Sequence, residues 1–258
     1  MLKVEKLEVV YHRVSTAVQG VSLEVNEGSI VAIIGTNGAG KTTTLRAISG
    51  FLGLDDARVT EGAILYRGEH IENRPPHRIA RLGIALVPER SKVFENLCVD
   101  DNLLASVTRR GGAFDRAQVY EFFPALAPLR RRDAGYLSGG ERQMLAIGSA
   151  LACAPHLLLV DELSQGLSPI MVDELMHRLR EVRRQTGITV LLVEQNAQVA
   201  LEVADYGYVM ENGRIVLDGT PERLRAHPDV QEFYLGGRGE RRSYRDVKQY
   251  RRSRRWYG

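Results

Sequence analysis

The sequence has little cysteine and lacks any long hydrophobic run. Its 258 residues include two cysteines, Cys98 and Cys153, each among apolar neighbours, so we expect free thiols in a reducing compartment rather than a disulfide. No apolar stretch approaches the roughly 18 to 20 residues that span a bilayer. The N-terminal MLKVEKLEVV also lacks the basic and then apolar pattern of a signal peptide. We therefore expect any membrane role to be peripheral.

Neither an internal repeat nor a low-complexity tract precedes the C-terminal tail. Hydrophobic residues make up 44% and charged residues 26%, and this length and composition suit one large globular domain, with or without a subdomain. Residues 238–258 carry nine Lys or Arg against two Asp or Glu, a surplus of 7 positive charges. Subtracting this 7 from the net charge of +3 leaves −4 on residues 1–237. The body is mildly acidic and the tail is basic.

The hydrophobic pattern predicts alternating strands and helices. LKVEKLEVV and VSLEV alternate as half-buried strands do, whereas SIVAIIG, HLLLV and ITVLLV are continuous apolar runs typical of buried parallel strands. Apolar residues spaced by three and four predict helices in TTTLRAISGFL, ERQMLAIGSALA and IMVDELMHRLREVRRQ. This alternation indicates an α/β fold. Over about 88–136 no strand pattern is found, and VDDNLLASV and AQVYEFFPAL predict a helical subdomain.

The segment GTNGAGKT, residues 35–42, matches the phosphate-binding loop G-x-x-x-x-G-K-[ST] between a predicted strand and a predicted helix. Its glycines let backbone N–H groups surround an anion, and the helix N-terminus adds a positive dipole end. Lys41 would reach the outer phosphates and the Thr42 hydroxyl would ligate Mg²⁺. The expected nucleotide-binding residues here are Gly35, Thr36, Asn37, Gly38, Ala39, Gly40, Lys41, Thr42 and Thr43.

HLLLVDE ends a buried strand with two carboxylates, Asp161 and Glu162. Ligands bind at the carboxyl ends of strands in open α/β sheets, so Asp161 would hold Mg²⁺ through water. Glu162 would accept a proton from the water that attacks the phosphoanhydride. The alternative is that these acidic residues cap a following helix.

YLSGGERQ places Ser138, Gly139 and Gly140 at the start of another predicted helix, a second N-terminus suited to phosphate. The order GTNGAGKT, LSGGE, HLLLVDE, SQGLS resembles the ATP-binding cassette (ABC) family over residues 1–237. The resemblance implies an ABC ATPase core sheet with an antiparallel β subdomain and a helical subdomain. It also implies that ATP bound by one cassette contacts Ser138, Gly139 and Gly140 of another in a head-to-tail dimer.

Further roles follow from the resemblance, position by position. Tyr11 stands where an aromatic residue stacks on adenine, although it also fits a core tyrosine at a strand end. Glu89 occupies the place of the glutamine that touches Mg²⁺ and links the core to the helical subdomain. Ser164–Ser168 would cross the dimer seam, with Leu163 and Ser168 replacing the usual proline and aspartate. Gln195 stands where most members have a histidine that senses the γ-phosphate.

VEQNA, together with VPE followed by VF, resembles the second ATPase of importers for hydrophobic, branched-chain amino acids, and FYLGG at 233–237 resembles that subfamily's usual end. We interpret Gln195 as a hydrogen-bond donor to the γ-phosphate, Asn196 as a helix N-cap, and Glu194 as a partner of neighbouring groups. The alternative is that all three residues only cap the helix. Related importers of amides, urea or aromatic acids stay open.

The resemblance implies a peripheral protein at the cytoplasmic face of the membrane. Its partners would be a second cassette, expected to be a related ATPase, transmembrane permease subunits, and indirectly a substrate-binding protein. A cassette that acts on DNA or ribosomes would usually have a coiled-coil insertion or two cassettes in tandem. A small-molecule kinase with a phosphate loop would lack LSGGE.

The resemblance does not cover residues 238–258, where Tyr244, Tyr250, Trp256 and Tyr257 lie among arginines. Few aliphatic residues are present, so we expect disorder in this tail. Three alternatives stay open: no specific role, contact with anionic lipid headgroups, and contact with nucleic acid.

Overall fold

The computed structural model describes residues 1–89, 93–106 and 116–235. The strands in chain order are β1 Leu2–Tyr11, β2 Ser15–Val25, β3 Ile30–Ile34, β4 Ala57–Tyr66, β5 Glu69–His70, β6 Ile84–Val87, β7 Leu157–Asp161, β8 Thr189–Glu194, β9 Tyr206–Glu211 and β10 Arg214–Gly219. The helices are α1 Lys41–Ser49, α2 Pro76–Arg81, α3 Val99–Ser106, α4 Arg116–Phe122, α5 Gly139–Ala152, α6 Pro169–Thr186, α7 Ala197–Val203, α8 Pro221–Ala226 and α9 Pro228–Phe233.

The larger sheet has six strands in the order β10-β9-β3-β8-β7-β6. Its strands pair in parallel except for β10, which runs antiparallel to β9 at one edge. The continuous apolar runs predicted as parallel strands are β3, β7 and β8, so that prediction is confirmed. Because these three strands are adjacent, the chain segments that follow them meet at one edge of the sheet.

The core strands are buried on both faces, which explains why they are apolar at every position. In β3, Val31 and Ile33 face one hydrophobic core with α1 and the second sheet. Ile30, Ala32 and Ile34 face the other core, with residues of α5, α6 and α7. The second sheet is antiparallel, in the order β2-β1-β4-β5, and confirms the two predicted half-buried strands. The predicted α/β fold is confirmed.

The segment between β6 and α5 is helical in the described residues, apart from one isolated bridge between Cys98 and Asp133. The predicted helix VDDNLLASV is present as α3. The helix predicted over AQVYEFFPAL is shorter than expected: α4 ends at Phe122, and a 3₁₀ turn, Pro124–Leu129, follows. Pro124 lacks the N–H that a continuing helix would need, which accounts for the early end.

The predicted helix TTTLRAISGFL also ends early, at Ser49, because Gly50 closes it with a bond from its N–H to the carbonyl of Arg46. Both cysteines are free thiols, but Cys98 is not in purely apolar surroundings, since its Sγ donates to Asp101. Among the described residues, no helix is long and apolar enough to cross a bilayer. The basic tail predicted over 238–258 lies outside the described residues.

Candidate nucleotide-binding site

The loop between β3 and α1 has the geometry that the phosphate-binding pattern requires. Gly40 precedes the helix with φ of 101°, a backbone conformation that residues with a side chain rarely adopt. A Cβ at Gly35 would lie 2.3 Å from the carbonyl oxygen of Met210 on β9. Glycine is therefore required at both positions, and the predicted strand, loop and helix context is confirmed.

The ammonium group of Lys41 is held inside this loop by three protein oxygens. Its Nζ donates to the carbonyls of Gly35 at 2.9 Å and Thr36 at 3.1 Å. The same atom lies 3.1 Å from Oε1 of Glu162, and the Lys41 side chain is only 4% exposed. A buried charge needs such partners because it has lost its hydration. The candidate phosphate ligand and the candidate general base thus form one buried ion pair.

A second contact joins the loop to the end of β7. The Thr42 hydroxyl donates to Oδ1 of Asp161 at 3.1 Å. The pKa of Asp161 is raised to about 6, chiefly by burial and also by the nearby carboxylates of Glu162 and Glu89, against the lowering effect of the Thr42 hydrogen bond and Lys41. Two of the predicted metal ligands, Thr42 and Asp161, are therefore adjacent, with Glu89 close enough to affect the Asp161 charge.

This donor set suits a hard cation. Hydroxyl and carboxylate oxygens are the ligands that Mg²⁺ prefers, and Mg²⁺ usually takes only one or two protein carboxylates besides phosphate and water. Within residues 1–89, 93–106 and 116–235, no group of three or more His, Cys, Asp or Glu side chains is placed to hold a metal. A site that depends on substrate phosphates for its remaining ligands fits both observations.

A cavity of about 470 Å³ brings the two halves of the site together. It is lined by Ala17, Asn37, Gly38, Ala39, Gly40, Lys41, Thr42, Thr43, Glu89, Glu162 and Gln165. Sequence reasoning did not assign Ala17 or Gln165 to this site. Gln165 lies three residues after Glu162 in the loop that leaves β7, so its position in the chain could have indicated it. Ala17 carries no chemical pattern that would have done so.

Gln195 lines a neighbouring cavity of about 420 Å³ instead. The two cavities share Glu162 and Gln165, so Glu162 lies between the phosphate loop and Gln195. The Gln195 side chain is exposed at the end of β8. Its contact with a γ-phosphate stays a prediction.

The two polar neighbours of Gln195 have structural partners. Asn196 caps α7, its side-chain oxygen accepting from the N–H groups of Gln198 at 3.1 Å and Val199 at 3.3 Å. Glu194 is fully buried and accepts from the N–H and the hydroxyl of Ser164, and burial raises the pKa of its carboxyl. The predicted roles of Asn196 and Glu194 are confirmed, so the alternative that these residues only cap the helix is wrong for Glu194, and for Gln195 it stays open.

Asp161 and Glu162 do not cap a helix. The next helix, α6, begins at Pro169 with Ser168 as its N-cap residue. Glu162 itself has a positive φ of 47°, a value that residues with a side chain adopt only rarely. Its N–H donates to the carbonyl of Val193 on β8 at 2.9 Å. The alternative raised from the sequence is therefore excluded.

The LSGGE segment begins α5 with a capping box. The Ser138 hydroxyl accepts from the N–H of Glu141 at 3.3 Å, and the Glu141 carboxylate accepts from the N–H of Ser138 at 2.7 Å. Ser138 and Gly139 are exposed, Gly140 is buried, and none of the three lines either cavity. The preceding Tyr136 is 72% exposed. This segment thus forms a capped helix end, exposed at Ser138 and Gly139, that does not line the nucleotide cavity of its own chain.

Tyr11 lies at the margin of the phosphate loop. Its hydroxyl is 3.3 Å from Oγ1 of Thr43, within hydrogen-bonding distance, and its ring is half-buried against the core between the sheets. The packing of the ring agrees with the alternative of a core tyrosine. The position of Tyr11 beside Thr43 is compatible with adenine stacking, which stays a prediction.

The chain matches known proteins over most of its length. The family model described as ABC transporter matches residues 18–165. The chain is 43% identical over 245 residues to the high-affinity branched-chain amino acid transport ATP-binding protein BraG of Pseudomonas aeruginosa, covering 92% of this chain and 100% of that protein. It is 36% identical over 239 residues to the probable branched-chain amino acid transport ATP-binding protein LivF of Archaeoglobus fulgidus, covering 92% and 99%.

A solved structure agrees with the architecture. The ADP conformation of MJ1267, an ATP-binding cassette of an ABC transporter, superposes with a TM-score of 0.76 at 28% identity, covering 92% of this chain and 98% of that one. Together with the loop, the paired carboxylates and the LSGGE helix, these matches show that the chain belongs to the ABC transporter family, as an ATP-binding cassette.

Proposed function

We propose that the chain binds and hydrolyses ATP to power an importer of branched-chain or related hydrophobic amino acids. The observation that carries the ATPase activity is the cavity where the phosphate loop, Thr42 and Lys41 included, faces Glu162. The substrate class is supported by the names of the relatives from Pseudomonas aeruginosa and Archaeoglobus fulgidus.

ATP binding would rearrange the buried ion pair. Residues 35–43 would bind the phosphates through backbone N–H groups and the N-terminus of α1. Lys41 would then exchange the Glu162 carboxylate, now 3.1 Å away, for the outer phosphate oxygens. Because Glu162 would lose its cationic partner at the same moment, binding of ATP itself would free the base. Tyr11 would pack against the adenine.

Thr42, Asp161 and Glu89 would hold Mg²⁺, directly or through water. When bound, this ion neutralises charge on the phosphate oxygens. Asp161 must be ionised for that role, and its hydrogen bond from Thr42 keeps it oriented toward the phosphate loop. Oriented carboxylate and hydroxyl oxygens at one edge of the sheet are sufficient protein ligands for such an ion.

Hydrolysis would depend on Glu162 and Gln195. Glu162 would take the proton of the attacking water, and Gln195 would donate a hydrogen bond to the γ-phosphate as its charge shifts. Both residues line the 420 Å³ cavity, which supports their acting on one group. Glu162 lines both cavities, which supports a position between the nucleotide and Gln195.

A second cassette would complete the site. Ser138, Gly139 and Gly140 lie outside the nucleotide cavity of their own chain, and their exposed helix end suits a phosphate held by another. The Ser164–Ser168 loop would lie between the two chains. The helical region 88–136 would pass the motion to transmembrane permease subunits at the cytoplasmic face of the membrane, loaded by a substrate-binding protein.

Transport in proteoliposomes tests this function. The full-length chain, assembled with permease subunits and a second ATPase, should drive ATP-dependent uptake of radiolabelled leucine in the presence of the binding protein. Excess unlabelled isoleucine or valine should compete, whereas urea should not. ATP hydrolysis with uptake of urea or amides instead of leucine would contradict the proposed substrate and leave the ATPase assignment standing.

A further inference from the structure

We propose that Glu194 is a positioning residue that fixes the loop after Glu162 relative to Gln195. The inference rests on the proposed ATPase function and adds a residue that the reaction needs without touching the nucleotide. Glu194 is the last residue of β8 and is 0% exposed. A carboxylate in such a place is unfavourable unless its oxygens accept hydrogen bonds, so its partners are informative.

Both oxygens of Glu194 accept hydrogen bonds from Ser164. Oε1 accepts from the N–H of Ser164 at 3.0 Å, and Oε2 is 2.6 Å from the Ser164 hydroxyl. Ser164 follows Glu162 by two positions, and Gln195 follows Glu194 directly. One buried side chain therefore joins the segment that carries the base to the segment that carries the γ-phosphate sensor.

The joined segment is held on its other side as well. Nε2 of Gln143, on the helix that begins with LSGGE, donates to the carbonyl of Leu163 at 3.0 Å. Leu163 is buried in the core, and the Glu162 N–H is bonded to Val193. Glu194 holds the next residue, Ser164. After it the chain leaves the core, and Gln165 and Gly166 are exposed. Glu194 thus adds a contact at Ser164 to the backbone bond between Glu162 and Val193, and without it the loop after Leu163 would no longer be fixed relative to Gln195.

The expected kinetic effect is a loss of turnover with binding preserved. Glu194→Ala should lower kcat by about 10- to 100-fold, since a misplacement of about 1 Å can cost that much. The dissociation constant for ATP should stay within about threefold, because Lys41 and the phosphate loop keep all their contacts. Glu194→Gln can accept from the Ser164 N–H and donate to its hydroxyl, so it should restore kcat to within about threefold of the parent.

Two further variants separate positioning from folding. Ser164→Ala removes one of the two bonds and should give an intermediate kcat, and combined with Glu194→Ala it should cause no further loss. Thr189→Val is the matched control, because Thr189 is also fully buried, lies at the opposite end of β8, and accepts from the Gly28 N–H at 2.9 Å. That control should lower the stability of the fold and leave kcat of the folded fraction unchanged.

Hydrogen exchange provides a readout that does not depend on activity. In the full-length Glu194→Ala protein, amides of residues 163–168 should exchange faster than in the parent, with the rest of the sheet unaffected, whereas Thr189→Val should show no such local change. Faster local exchange together with lower kcat supports the proposal. Unchanged exchange over 163–168, or a kcat that falls only with the folded fraction, overturns it. An inactive parent with the local exchange change would instead contradict the ATPase function alone.

Discussion

The buried pair of Lys41 and Glu162 is the central feature at the scale of single residues. Its 3.1 Å contact joins the proposed phosphate ligand to the proposed base, and each would have a different partner once ATP is present. On the proposed function, the positive charge of Lys41 would meet phosphate charge that is already present in the bound nucleotide. A group poised on the γ-phosphate matters more as charge shifts in the transition state. A substitution at Lys41 should therefore mainly weaken ATP binding, whereas one at Gln195 should mainly slow hydrolysis.

Lys41→Ala should abolish tight ATP binding, because the outer phosphates lose their buried cation. Gln195→Ala should bind ATP within a few-fold of the parent and turn it over more slowly. Equilibrium binding of a fluorescent ATP analogue and steady-state hydrolysis measure the two effects separately. Parental turnover by Gln195→Ala in the assembled transporter would show that this residue only borders the start of α7.

Residues differ in how far the sequence could define them. Asn196 was predictable because a cap depends on groups two and three residues away. The bond between Glu194 and Ser164 spans 30 positions and exists only because β7 and β8 are neighbours. No pattern within a short stretch of sequence predicts a contact between residues so far apart in the chain. Ala17 was likewise not predicted at the nucleotide cavity, because it comes from a segment distant in sequence from the phosphate loop.

At the scale of elements, the N-cap of α7 shows whether Asn196 acts in helix capping or in catalysis. Asn196→Ala removes the acceptor for two N–H groups and should lower the free energy of unfolding by about 0.5 to 2 kcal/mol. The dissociation constant for ATP should not change. Urea denaturation measures the first quantity, and Gln198→Ala, an exposed neighbour on the same helix, should stay within about 0.5 kcal/mol of the parent. Unaltered stability with slowed hydrolysis would move Asn196 into the catalytic site.

Strands and helices with strong periodicity were predictable, and their arrangement was not. Continuous apolar runs identified β3, β7 and β8, and glycine and proline explain why α1 and α4 are shorter than their patterns. The order β10-β9-β3-β8-β7-β6 depends on pairings between distant segments, which periodicity does not contain. The β9 and β10 hairpin, whose Met210 carbonyl forces glycine at position 35, received no strand prediction.

At the scale of the whole molecule, the tail should be separable from the ATPase. Truncation after Gly237 removes a surplus of 7 positive charges and should leave ATP binding and hydrolysis unchanged. If the tail contacts lipid, the full-length chain should sediment with anionic vesicles more than the truncated one, since each basic residue adds up to about 1 kcal/mol near such a surface. That difference should shrink as salt rises. Equal sedimentation of both forms would dismiss lipid contact. Binding of an oligonucleotide by the full-length chain and not by the truncated one would indicate that the tail contacts nucleic acid instead.

The ATPase assignment predicts what happens when the base alone is removed. Glu162→Gln keeps the size of the side chain and leaves Asp161 and Thr42 in place, so Mg-ATP should bind as in the parent. Hydrolysis should fall by about 10² to 10⁴, the usual loss for a general base. ATP that cannot be hydrolysed should hold two cassettes together through Ser138, Gly139 and Gly140.

The most direct measurement combines the hydrolysis rate of Glu162→Gln with its elution volume on gel filtration in Mg-ATP, both alone and mixed with the second ATPase. The expected result is negligible hydrolysis and a shift from monomer to dimer that requires Mg-ATP and is absent with ADP. Hydrolysis at the parental rate would contradict the role of Glu162. Elution as a monomer in both samples, with Mg-ATP bound tightly and not hydrolysed, would contradict the shared nucleotide site.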